Sequence, residues 1–122
     1  MKFMTIVKCA EISEPPPAAL IDGIMALGEE AKKAGVFVDW GGLQPTAAGA
    51  RARIAKGRLT ITDGPFTEAK EVIGGFTTYD VASKKEAMVW VRRFMELHLK
   101  HWPEWEGELE VRQLFEEPPT GD

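Results

Sequence analysis

The segment from Ala50 to Thr62 admits few conformations. Ala50 to Ala55 and Arg58 to Thr62 flank Lys56-Gly57, and a two-residue connection there pairs Ile54 with Leu59 and Ala52 with Ile61. In that register Ala52, Ile54, Leu59 and Ile61 share an apolar side, while Arg51, Arg53, Thr60 and Thr62 share a polar one. A β-hairpin is the reading. Counting on by two from Ile61 puts Asp63 on the apolar side at the strand's end, so its carboxylate is expected to point inward.

Strand and helix patterns alternate on either side of this hairpin. Residues 2 to 10 alternate and are rich in Phe, Ile, Thr and Val, which predicts a first strand. Glu14-Pro15-Pro16-Pro17 ends it and suits a helix entrance, where the first amides have no intrahelical partner to lose. Leu20, Ile24, Leu27, Ala31 and Ala34 follow at helical spacing until Gly35, with Lys32 and Lys33 placed to favour a helix C-terminus. Val36 to Trp40 reads as a strand, with Val36, Val38 and Trp40 on one face and Phe37 and Asp39 on the other. Gly41 to Gly49 is a loop by its Gly and Pro content. Val72 to Val81 reads as a further strand, and Gly74-Gly75 near its start marks a bulge or a close backbone approach. Ser83-Lys84-Lys85-Glu86 has capping-box spacing and opens a helix to about Lys100. Leu109 to Phe115 is the last predicted strand, and 117–122 is a polar tail expected to be mobile.

The resulting order is β-α-β-(hairpin)-β-α-β, an α+β class with both helices on one face of an antiparallel sheet. The uncovered face would expose apolar surface, and a second copy of the chain is the simplest cover. At 122 residues the chain is expected to be a single domain, over 1–116, able to bury a core without disulfides or metals. Its single cysteine, Cys9, fits a reducing compartment, so cytoplasm is expected. The opening residues lack the pattern of a signal peptide, and no apolar run is long enough to cross a bilayer. Fifteen basic and nineteen acidic residues give a formal charge of −4, with no Lys/Arg block beyond pairs. That balance argues against nucleic acid and for small molecules or proteins as partners.

The stretch Thr62-Asp63-Gly64-Pro65-Phe66-Thr67-Glu68-Ala69-Lys70-Glu71 carries more chemistry than a turn requires. Asp63 is a candidate acid–base group, since a desolvated carboxylate can exchange protons near neutrality. Glu68, Lys70 and Phe66 are candidate ligand contacts, with a solvated charged face as the alternative for the charges. On a helical wheel His98 and His101 fall with Ala87, Trp90, Val91 and Phe94 on the buried arc, and their spacing lets both rings converge. Both are candidate catalytic groups; the alternative is that each bonds a backbone carbonyl in the core. No HxxE or CxxC completes a metal site, so neither metal nor cofactor is expected. Gln44, in its Gly/Pro loop, offers an amide to orient a polar ligand. Trp102, followed by Pro103-Glu104-Trp105, is placed to wall a pocket or join a subunit contact. Cys9, with no evident basic neighbour, reads as a small buried residue.

Taken together, Asp63-Gly64-Pro65-Phe66, Glu68, Lys70-Glu71 and Gly74-Gly75-Phe76, with Leu43-Gln44-Pro45 upstream and Val111-Arg112 in the last strand, resemble the DGPF-domain branch of the YCII-related family. The resemblance spans nearly the whole chain. It implies a ferredoxin-like α+β fold that dimerises into an α+β barrel, and it implies little chemistry. A regulatory role beside extracytoplasmic-function sigma factors is implied for some members. Smaller relatives are thought to pair an Asp with a His from the first helix, but Ala18 to Gly35 contains no histidine, so that pair does not transfer.

The expected function is therefore a small cytoplasmic dimer with a polar-lined cleft near Asp63, Gln44 and the second helix. The cleft would bind a small metabolite and support acid–base chemistry of lyase, isomerase or hydrolase type. The alternative is a noncatalytic sensor or interaction module serving a sigma-factor system, with structural motif residues.

Overall fold

The computed structural model describes residues 1–11, 14–117 and 121, and most of the tail expected at 117–122 lies outside them. Its elements run β1 (Lys2–Cys9), α1 (Ala18–Lys33), β2 (Phe37–Gly42), a 3-10 turn (Thr46–Ala48), β3 (Ala50–Ala55), β4 (Arg58–Asp63), β5 (Val72–Asp80), α2 (Lys84–His101) and β6 (Gly107–Gln113). Four strands form an antiparallel sheet in the order β2-β5-β1-β6, and β3 and β4 pair separately. This α+β arrangement is consistent with the ferredoxin-like fold.

Both helices are stopped and started by the residues expected to do so. Gly35, after α1, adopts φ +73°, where a β-carbon would be strained. At the start of α2 the Glu86 N–H donates to Ser83 Oγ at 3.2 Å. The Glu86 carboxylate reaches one residue further back than a capping box requires, accepting from the Ala82 N–H at 3.0 Å.

One side of the sheet is covered. Phe3 and Thr5 from β1 and Thr77 and Tyr79 from β5 face the helices, and Thr5 Oγ1 donates to the Thr77 carbonyl at 2.9 Å, satisfying a buried hydroxyl. The core gathers at one end of this sandwich, where Phe3, Tyr79 and Val81 meet Ala31 near the end of α1 and Ala87 near the start of α2. Phe37 and Trp40 both join this side, with their rings edge-on at 5.6 Å. Simple alternation put them on opposite faces. A register shift between Phe37 and Asp39 supplies the odd residue that turns both inward. A second shift falls where expected, at Gly74: Val7 pairs with Gly75 but Lys8 pairs with Ile73. Gly75 also allows a close approach, since a β-carbon there would lie 2.8 Å from the Gly41 carbonyl oxygen. The last strand begins and ends two residues earlier than its expected span of 109–115.

The hairpin has the predicted register, Ile54 with Leu59 and Ala52 with Ile61, and Asp63 pairs with Ala50. What differs is its surroundings. Every residue of β3 and β4 is exposed, including Ile54 (77%), Leu59 (64%) and Ile61 (68%). Asp63 shares their side but does not point inward, because the apolar side of the hairpin meets no other part of the subunit's core.

Candidate functional site

The end of the sandwich away from the core is open. There the C-terminal half of β1 (Val7, Cys9), the start of β5 and the end of β2 face the first turns of α1 (Ile21, Ile24, Met25) and the last turns of α2 (Phe94, His98). Gly41, Gly42, Gly74 and Gly75 line this end and contribute no side chains to fill it. The space left is a cleft of about 620 Å³, of the size that holds small molecules. Its walls are mainly apolar, and the expectation of a polar-lined cleft is corrected accordingly: Ile21, Ile24 and Met25 of α1 and Trp40, Trp102 and Trp105 are among the lining residues.

His98 is the titratable side chain built most firmly into these walls. It is only 8% exposed, and its Nδ1 lies 3.0 Å from the Phe94 carbonyl oxygen, one turn earlier on α2. A carbonyl can only accept, so Nδ1 carries the proton and Nε2 presents a lone pair. Nε2 has no hydrogen-bond partner among the described residues. The ring sits between Phe94, at 4.9 Å, and Trp105, at 4.5 Å between centroids. This apolar packing pushes the imidazole below the ordinary histidine range by desolvating its charged form, although the Phe94 carbonyl opposes the shift. Neutral His98 is therefore the resting form near pH 7. Trp102, buried after the helix, stacks on Trp105 with centroids 6.4 Å apart and planes inclined by 29°.

Cys9, read as a small buried residue, lies at the same end, half-buried, and lines the cleft. Burial raises its thiol above the ordinary cysteine value, and Glu71 adds to this, while the Trp105 indole N–H pulls the other way. Gln44 lies on the lip, with Leu43, Pro45 and Thr46.

The remaining candidates sit elsewhere. His101 is partly buried and is not part of the cleft lining, so the two histidines do not converge on the cleft. Asp63, Phe66, Glu68 and Lys70 are also outside the lining. Glu68 forms an ion pair with Arg51, whose guanidinium lies over the Phe66 ring at 3.8 Å from its centroid. The Glu68 carboxyl is held below its usual range first by its own backbone amide and then by Arg51. Lys70 is exposed, without an ion-pair partner among the described residues.

The Asp63-Gly64-Pro65-Phe66 turn nevertheless reaches the cleft indirectly. The Phe66 N–H donates to Thr46 Oγ1 at 3.1 Å, and the Gly64 N–H donates to the Gly49 carbonyl at 2.9 Å. Thr46 in turn donates through its N–H and Oγ1 to the two oxygens of Glu11, at 3.0 and 2.6 Å. The motif thus braces the lip that carries Gln44, while Glu11 and Thr46 themselves line the cleft. Sequence reasoning did not find Glu11, Ile24 or Thr77 as lining residues, because each is brought there by packing between distant segments. The paired glycines were the available signal.

No group of three or more His, Cys, Asp or Glu side chains that could hold a metal occurs among the described residues. No helix among them is long and apolar enough to cross a membrane.

A four-stranded antiparallel sheet with two helices on one face, packed at one end and opened into a cleft at the other, defines the protein as a small α+β domain with one candidate ligand site. The family model of the YCII-related domain matches residues 1–99, and the chain belongs to that family. An uncharacterized protein of Rhizobium meliloti (strain 1021) is 44% identical over 50 residues, which is 41% of this chain and 40% of that protein. The chain thus matches well under half the length of this curated relative.

Proposed function

We propose that the protein, as a homodimer of the DGPF branch of its family, binds a small metabolite in the cleft, with His98 Nε2 as the group that takes a proton from it. The observation that carries this reading is the environment of His98. Its tautomer is fixed by the Phe94 carbonyl, its charged form is disfavoured, and its lone pair has no protein partner. A neutral, desolvated imidazole is suited to act as a base near neutral pH. Gln44 on the lip would orient the ligand's polar end. Gly64 and Phe66 brace the lip through their backbone amides, Asp63 and Glu68 stand outside the cleft lining, and so does His101.

Dimerisation is supported by the uncovered side of the sheet. Met4 and Ile6 lie there, on the side opposite Phe3 and Thr5. Lys8 and Arg112 flank this strip through Glu110, at 3.2 Å each. A second copy applied face to face would remove the apolar strip from water.

The second reading, a noncatalytic sensor or interaction module for a sigma-factor system in the cytoplasm, is favoured by one observation: the motif residues with the most charge support the fold and stand outside the cleft. Metabolite screening separates the two. A ligand that shifts the His98 ring resonances and is turned over, with turnover lost in His98→Gln while Asp63→Asn retains it, supports the first. Ligand binding without turnover, together with complex formation by a purified sigma factor, supports the second.

A further inference from the structure

The cleft's chemistry restricts what can occupy it. Two charged side chains line it, Glu11 and Glu14, and no Lys or Arg does so among the described residues. An anion entering would meet carboxylates and leave water for apolar walls with no compensating cation, which is costly on both counts. Part of the wall is aromatic. Trp102 and Trp105 stack with planes inclined by 29°, and Trp105 packs against the His98 ring with centroids 4.5 Å apart. Among these walls His98 Nε2 is an acceptor with no hydrogen-bond partner among the described residues, and its role is set because Nδ1 already donates to Phe94. An occupant lacking a donor would leave this acceptor dry and unpaired, and sites built around a hydrogen bond reject such ligands strongly.

We propose that the cleft selects an uncharged, planar aromatic ligand bearing one hydrogen-bond donor, of the phenol class, whose hydroxyl donates to His98 Nε2. This rests on the reading of the cleft as a small-molecule site and names the class of molecule it takes. Carboxylated and phosphorylated metabolites are excluded by the same geometry that admits the phenol.

Three probes of one shape test this in the full-length protein by isothermal titration calorimetry at neutral pH: 2-naphthol, 2-methoxynaphthalene, which keeps the oxygen but has no donor, and 2-naphthoate, which is an anion. The expected result is that 2-naphthol binds on the order of tenfold more tightly than either of the others, the worth of one good hydrogen bond. His98→Phe keeps a ring in place and removes the acceptor, so 2-naphthol should fall to the level of 2-methoxynaphthalene. If that variant does not fold, the wild-type ratio still decides, together with the ¹⁵N shift of Nε2 on adding 2-naphthol. Equal binding of 2-naphthol and 2-methoxynaphthalene, or tighter binding of 2-naphthoate, overturns the ligand class while leaving a ligand site. Binding of none of the three overturns the cleft reading itself.

Discussion

Gly64 and Thr46 meet backbone to backbone: a β-carbon on Gly64 would lie 1.7 Å from the Thr46 carbonyl oxygen. Because the neighbour is main chain, it cannot rotate away. Thr46 also receives the Phe66 N–H and holds Glu11, so any displacement passes to the lip of the cleft. Gly64→Ala is expected to cost about 2 kcal/mol, as overpacking against a fixed wall does. Thermal unfolding would read this, and a melting temperature unchanged from wild type would show that the lip yields freely.

Acid should destabilise the protein in two separate windows. The folded state disfavours the His98 imidazolium, so the unfolded chain takes up that proton at the higher pH, around the ordinary value of about 6.5. Stability owed to neutral His98 is complete above that pH and declines as pH falls through the lower folded value. His98→Phe should flatten this part of the profile. The Glu110 carboxyl, held down by Arg112 and Lys8, and that of Glu68 lose their stabilising interactions only in a more acidic window, below the ordinary value near 4.5. Denaturant midpoints measured at half-unit steps from about pH 7.5 down to about pH 2.5 would resolve the two. A single transition unaffected by the His98 substitution would argue against the buried neutral ring.

Cys9 should be a poor nucleophile. Its thiol is raised by burial, so less thiolate is present at neutral pH than in a free cysteine. Alkylation by iodoacetamide is expected on the order of tenfold slower than for glutathione. Since Cys9 lines the cleft, 2-naphthol should slow the reaction further, giving a second readout of occupancy. Rates equal to those of a free thiol would show the residue to be fully accessible.

The proposed dimer has a predicted point of failure. Ile6 lies mid-strand on the uncovered sheet face, paired with Phe76 on one side and Glu110 on the other. Ile6→Lys places a charge in the middle of the proposed contact, where an unpaired buried charge costs several kcal/mol. Light scattering after gel filtration should find the wild type as a dimer and the variant as a folded monomer. A monomeric wild type would remove the dimer outright.

Much of the fold was legible because local signals agreed with each other. Gly35 and Ser83 bound the helices, Lys56-Gly57 set the hairpin register, and Gly74-Gly75 forecast an irregular strand. Trp40 shows where alternation fails, since one bulge residue in β2 reverses every side chain after it. Asp63 shows a deeper limit. Parity placed it correctly on the side of Ile61, but parity cannot say whether that side meets a core or water. His98 and His101 were likewise put on one arc, and the difference between them came from Trp105 and Phe94, which pack one ring and not the other. The cleft is bounded by residues from both ends of the chain, and only the tertiary fold brings Glu11, Ile24 and Thr77 together.

The hairpin of β3 and β4 borrows almost nothing from the rest of the subunit. Two strands alone are marginal in water, and these are tethered mainly through Arg51 to Glu68 and Phe66 and through Gly49 to Gly64. A single subunit would therefore fold as well with Ile54, Leu59 and Ile61 replaced by threonine. In a library of random substitutions selected only for folding, these positions should drift freely toward polar residues. In one selected for function, retention of their aliphatic character would reveal a constraint that originates outside the subunit.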